Sequence, residues 1–183
     1  CGCAVTESPM LRTLQRTALS RSSLRRHFVH TEARLAELGY TLPAMPKALG
    51  VYVPAVSTGK YIHTAGHICF DDPLDVSTIK VGKVGVVYTT EEAAAIAESI
   101  GLELLATLKH EVGDLDKIKR IVKVVGFVNC PDDYGQQPEV LNGCSNLLAA
   151  VFQERGIHAR SAVGTNSLPR QVPVEIELIA EVE

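Results

Sequence analysis

The sequence predicts a two-layer α+β sandwich, a mixed sheet of five to six strands with two helices on one face. Three observations predict it. A β-branched, alternating run spans Ile118 to Val128 (IKRIVKVVGFV). A second run, Val174 to Val182, sets Glu175, Glu177 and Glu181 against Val174, Ile176, Leu178 and Val182, and period two puts the acids on one face and the aliphatics on the other. Two long stretches, 90–112 and 137–154, carry helical periodicity instead. A chain of 183 residues that is 46% apolar has enough length and core for one domain with an extension.

The elements follow in order. Residues 10–31 are rich in Arg, Ser and Leu and contain no acid, and Leu11, Leu14, Leu24 and Phe28 share part of a helical face. That is the composition of an organelle transit peptide, with Met10 as a candidate start; a basic helix folded onto the protein is the other reading. Residues 1–31 are therefore a basic N-terminal extension or transit-like segment, and the expected location is mitochondrial or cytoplasmic. Residues 32–40 form a short helix ended by Gly39. Pro43 and Pro46 then impose an extended linker. Gly50 to Val56 is a first strand and Lys60 to Thr64 a second, joined by Ser57-Thr58-Gly59 as a hairpin. Ala65-Gly66-His67 supplies small residues where the backbone can approach another group. Residues 71–87 are loop, with a short strand expected within Lys80 to Val87.

Thr89, with Glu91 and Glu92 behind it, caps a helix with Ala93, Ile96, Ala97, Ile100, Leu104 and Leu108 on its apolar face. Gly101 inside it marks close packing on the sheet, and Gly113-Asp114 ends it. Pro131-Asp132-Asp133 ends the strand at 118–128, and a second helix runs from Gln137 to Glu154, closed by Gly156. A strand from His158 to Gly164 follows. The loop with Asn166, Ser167 and Pro169 then lets it pair antiparallel with 174–182, bringing Arg160 near one of the glutamates. Such a pair is a small-acid site or a structural ion pair. The sheet face away from the helices, assigned Val122, Val124, Ile176 and Leu178, is too apolar to stay wet, and association of copies covers it.

Charge and composition exclude some functions. Residues 1–31 carry five arginines and one acid, whereas 32–183 carry 13 basic and 20 acidic residues. An acidic body repels phosphate, and 5% aromatics without tryptophan make a poor stacking platform, so nucleic acid is not an expected partner. No run of 18 apolar residues spans a membrane. Cys1, Cys3, Cys69, Cys130 and Cys144 form no CxxC and no zinc spacing, and read as reduced thiols.

Several stretches together resemble a known family: GVYVPAV (50–56), YIHTAGH (61–67), GDLDKIKRIVKVVGFV (113–128), NGCSNLLAAVF (142–152) and HARSAVG…LP…VPVEIELIA (158–180). They are similar to the Rid family, the YjgF-like reactive intermediate deaminases also labelled L-PSP endoribonucleases, in a longer branch that begins LGY-LP. The resemblance covers roughly 35–183, making 32–183 a single Rid-like domain. It implies a chorismate-mutase-like fold, a homotrimer with a central barrel, and clefts between subunits. It implies hydrolytic deamination of enamine and imine intermediates of 2-amino acids to 2-keto acids and ammonia, without cofactor or metal. The partners it implies are a small carboxylate-bearing imine, enamine or 2-keto acid and further copies of the chain. By the same resemblance Arg160 holds the substrate carboxylate and Glu175 helps place the attacking water. Tyr52, Gly66, Asn142 and the Ala162 position line the cleft. Ala162 and Ala65 stand where the family has polar side chains, and His67 and His158 can add polarity instead. The alternatives are a non-catalytic trimer that binds small carboxylates and an RNA-cleaving L-PSP-type endoribonuclease.

Overall fold

The computed structural model describes residues 30–45, 50–72 and 74–183. Residues 10–29 of the transit-like segment 10–31, together with Cys1, Cys3 and Pro46, lie outside the described residues.

A short helix α1 (Thr31–Glu37) opens the described chain and ends where expected, with Gly39 at φ +81°. The hairpin pairs β1 (Ala55–Thr58) with β2 (Tyr61–Thr64), and Gly59 supplies the positive φ of the turn. Its first strand starts later than predicted: residues 50–54 are bends, and Pro54, which lacks an N–H, precedes the first ladder residue. A two-residue strand, β3 (His67–Ile68), follows. The short strand expected within 80–87 does not form. Residues 71–72 and 74–88 run as bends, turns and one 3-10 turn (Val76–Thr78), with isolated bridges between Phe70 and Ile79 and between Val84 and Tyr88.

Helix α2 (Thr90–Val112) has the full capping box at its start: Thr89 Oγ1 accepts from the Glu92 amide, and the Glu92 carboxylate accepts from the Thr89 amide. Strand β4 (Ile118–Asn129) is next, then helix α3 (Gln137–Phe152), β5 (Ala159–Thr165) and β6 (Val174–Val182). α3 ends earlier than expected, capped by Gln153 at φ +56°, and a 3-10 turn leads to Gly156, where a Cβ would come within 2.1 Å of the Leu148 carbonyl oxygen.

The strand order is β1-β2-β6-β4-β5, with β3 also on β6. Two expectations are overturned. First, β5 and β6 are not neighbours. β4 lies between them, parallel to β5 and antiparallel to β6. The longest strand takes an interior position, where both of its edges are paired. Second, Val124, Ile176 and Leu178 face the helices and are at most 2% exposed. The acids of β6 alternate with them and lie on the open face, beside Val125, Phe127 and Ile179. Two amphipathic helices need an apolar floor, so the aliphatic face of β6 belongs beneath them. Val122 sits at a register shift in β4, between Ile121 and Lys123, and follows neither alternation.

Gly101 does pack closely, but on α3 rather than the sheet: its Cβ would meet Leu147 and Cys144. Gly143 of α3 answers it, against the Ala94 carbonyl of α2.

Candidate functional site

Arg160 is in register with Val124 of β4, and Val124 with Leu178 of β6. The side chain therefore projects on the helix side of the sheet, where α3 receives it. Its Nη1 donates to Asn142 Oδ1 at 2.9 Å and to Ser145 Oγ at 3.0 Å. Asn142 and Ser145 are three residues apart on α3 and share a face. His158 joins them from two residues before Arg160, with Nε2 3.0 Å from Ser145 Oγ and Nδ1 2.6 Å from the Gly156 carbonyl oxygen. Burial holds the half-buried His158 below its ordinary pKa, and the Arg160 charge adds to this against the Gly156 bond. None of the ion pairs among the described residues involves Arg160. Its Nε and Nη2 have no hydrogen-bond partner there, so two N–H groups of the fork remain for an external anion.

Glu175 belongs to a second group. It is in register with Ile68 of β3 and Phe127 of β4, on the open face. Its carboxyl lies directly over Gly66, where a Cβ would fall 1.9 Å from Oε1. A side chain at position 66 would displace the carboxyl from this place. Burial, then the neighbouring Glu177 charge, push Glu175 above the usual carboxylate range. A carboxyl so perturbed is better able to take a proton from water near neutral pH.

The two groups do not meet in one chain. Arg160 and Glu175 are two strands apart, roughly 10 Å across the sheet, and on opposite faces. The antiparallel pairing expected to bring them together is absent because β4 intervenes. The remaining site residues are distributed as follows. Asn142 is brought to Arg160. Gly66 is brought to Glu175. Ala162, on the Arg160 face in register with Gly126, packs half-buried against the core. Tyr52 is half-exposed in the bend before β1, its ring against Gly50.

The histidines separate cleanly. His67 is 4% exposed. Its Nδ1 bonds the Ala65 carbonyl at 2.8 Å and its Nε2 the Thr107 hydroxyl at 2.8 Å, so it is a satisfied core residue. His63 is exposed on the open face near Lys123 and Glu177. Cys69, Cys130 and Cys144 are free and buried. Burial pushes Cys69 up to about 11 and Cys144 up to about 12, far from a reactive thiolate. Among the described residues no group of three or more His, Cys, Asp or Glu side chains is arranged to hold a metal ion. Ser145 was not foreseen. Its one signal is its place three residues after Asn142, on the same helical face.

A family model described as "YjgF/chorismate_mutase-like, putative endoribonuclease" matches residues 32–182. Protein TCP17 of Trypanosoma cruzi is 36% identical over 150 residues, covering 81% of this chain and 92% of that protein. The 2-iminobutanoate/2-iminopropanoate deaminase of Salmonella typhimurium is 31% identical over 138 residues, covering 74% and 90%. The crystal structure of Atu1372 from Agrobacterium tumefaciens, a protein of unknown function, superposes with a TM-score of 0.75 at 38% identity, covering 85% and 96%.

Proposed function

The chain belongs to the YjgF/chorismate-mutase-like family, and on that premise we propose that it hydrolyses enamine and imine derivatives of 2-amino acids to 2-keto acids and ammonia. One observation carries the reading. Arg160 is a guanidinium fixed by two neutral acceptors through one nitrogen, with no carboxylate partner among the described residues. Such a group is suited to a carboxylate brought by a ligand. The name of the Salmonella relative supplies the reaction class.

The chemistry assigns a role to each group. An enamine first takes a proton at its terminal carbon to become the imine. Arg160 Nε and Nη2 donate to the imine's carboxylate and fix C2. Glu175 takes a proton from water as the water oxygen bonds C2, and the C=N π pair moves to nitrogen, which is protonated. The hydroxyl proton of the carbinolamine is then transferred to its nitrogen, the C–N bond of the ammonium so formed breaks with its electron pair on nitrogen, and ammonia and the keto acid leave. Because Arg160 and Glu175 sit on opposite faces of one sheet, the cleft takes each from a different copy, in a trimer whose open sheet faces form a central barrel.

To test the reading, 2-aminoacrylate is generated with a pyridoxal-phosphate enzyme and keto acid release is followed. The protein is expected to accelerate release above the spontaneous rate, and Arg160→Ala to lower that acceleration at least about a hundredfold. No acceleration, or an unimpaired Arg160→Ala, overturns it. A second reading, carboxylate binding without turnover, is favoured by the apolar Ala162 two residues from Arg160. It predicts keto acid binding at Arg160 with no acceleration.

A further inference from the structure

The polarity of the hydrogen-bond chain behind Arg160 is set by the backbone. The Gly156 carbonyl can only accept, so the proton of a neutral His158 is on Nδ1. Nε2 then offers a lone pair alone, and the Ser145 hydroxyl must donate to it. With its proton committed, the Ser145 oxygen is left as an acceptor, and Arg160 Nη1 is its donor. The titratable groups around His158 are consistent with a neutral ring: Arg160 on its own strand is cationic, and the Cys144 thiol of α3 stays protonated. Gly156 is itself wedged against Leu148 and Ala149, so the end of the chain is anchored in the α3 terminus.

We propose that Ser145 and His158 are positioning residues that lock the guanidinium fork of Arg160 with Nε and Nη2 turned toward the ligand carboxylate. The proposal rests on reading Arg160 as the carboxylate clamp. It goes further in assigning two residues that act through Arg160 rather than on the reacting atoms. Asn142 Oδ1 alone would leave the guanidinium free to pivot about one bond, whereas two acceptors on one nitrogen fix its plane. His158 has no direct hydrogen bond to Arg160, so its hold on the fork's orientation passes through Ser145.

That serial arrangement makes the test sharp. Affinity for pyruvate and 2-oxobutanoate is measured by titration calorimetry for the wild type, Ser145→Ala, Ser145→Thr, His158→Ala and the double Ala variant, with thermal melts to follow folding. Ser145→Ala is expected to weaken binding about tenfold, and Ser145→Thr, which keeps the hydroxyl, to bind within about threefold of the wild type. His158→Ala is expected to weaken binding several-fold, and the double variant to be no worse than Ser145→Ala, because His158 has nothing left to act on. Nitrogen-15 spectra of the arginine side chains give a readout without ligand: slow rotation of the Arg160 guanidinium in the wild type and Ser145→Thr, and fast rotation in Ser145→Ala. Penalties that add in the double variant, unchanged binding in Ser145→Ala, or a wild type that binds neither keto acid at millimolar concentration each overturn the proposal. Keto acid binding with these couplings but no turnover of 2-aminoacrylate leaves it standing and removes the deaminase reading instead.

Discussion

Glu103 is a carboxylic acid in the core, 3% exposed on the sheet-facing side of α2. It belongs to a file of polar residues, Ser99, Glu103 and Thr107, spaced four apart along the helix and turned to residues 67–70. Thr107 meets His67, Glu103 accepts from the Phe70 amide, and Ser99 lies beside the Cys69 thiol. The file exists because β3 is so short: beyond its ladder with β6, the chain needs partners for its polar groups, and α2 provides them. Burial pushes Glu103 up to about 8, and its Oε2 has no hydrogen-bond partner among the described residues. The folded state thus holds a proton that the unfolded chain releases near the ordinary carboxylate pKa of about 4.3. Stability from this group is full below that value and is lost as pH rises toward 8. Glu103→Gln keeps the acceptor for Phe70 without the ionisation. It is expected to melt a few degrees higher than the wild type at pH 8 and to flatten the decline between pH 5 and 8. Melts that fall with pH equally in both proteins would remove this account.

At the scale of elements, the two helices meet through glycines that are not equivalent. A Cβ on Gly143 would lie 1.9 Å from the Ala94 carbonyl oxygen, a backbone atom that can move only if α2 moves. A Cβ on Gly101 would lie 2.8 Å from Leu147 Cδ2, the tip of a side chain that can rotate aside. Gly143→Ala is therefore expected to cost more than about 2 kcal/mol by forcing the helices apart. Gly101→Ala is expected to stay within about 1 kcal/mol of the wild type, since alanine's helix propensity offsets the repacking. Urea unfolding of the two variants checks the order, and equal losses would contradict it. The same contrast between local and non-local information governs what the sequence made legible. The ends of α2 were readable because Thr89, Glu92 and Gly113 act within a turn of themselves. The strand limits of β6 were readable because Glu175, Glu177 and Glu181 recur at period two against Val174, Ile176, Leu178 and Val182. The partner of β5 was not readable, because the insertion of β4 between β5 and β6 depends on which strand gains most from having both edges paired. The face buried by the helices was misassigned for a related reason: alternation separates two faces but does not say which one the helices cover. At the site, Arg160 stood out among small residues, and Glu175 could be told from Glu177 and Glu181 only by resemblance. Its contact with Gly66 depends on the β3–β6 ladder, which two residues are too few to announce.

For the whole molecule, the consequence is that one chain carries two separate groups. The helix side of the β5 edge presents Arg160 with Asn142, Ser145 and His158, and the open face presents Glu175 over Gly66. The open face is a mixture that suits contact with another copy. Val56 and Val163 are 55% and 46% exposed, and Lys123, Glu177 and Glu181 are interspersed with Val125, Phe127 and Ile179. If each cleft draws its arginine from one copy and its glutamate from the next, two inactive variants must complement each other. Arg160→Ala keeps the glutamate, and Glu175→Gln keeps the arginine. Co-refolded in equal amounts, half of the arginine donors and half of the glutamate donors are intact. Random assembly then makes about one quarter of the clefts wild type. The mixed preparation is expected to recover about a quarter of the wild-type keto acid release, while each variant alone stays near the spontaneous rate. A cleft built within one chain would recover nothing at any mixing ratio. Raising the proportion of either variant should lower the recovered activity symmetrically, because the yield follows the product of the two fractions. An asymmetric profile would mean that one of the two residues acts somewhere other than the shared cleft.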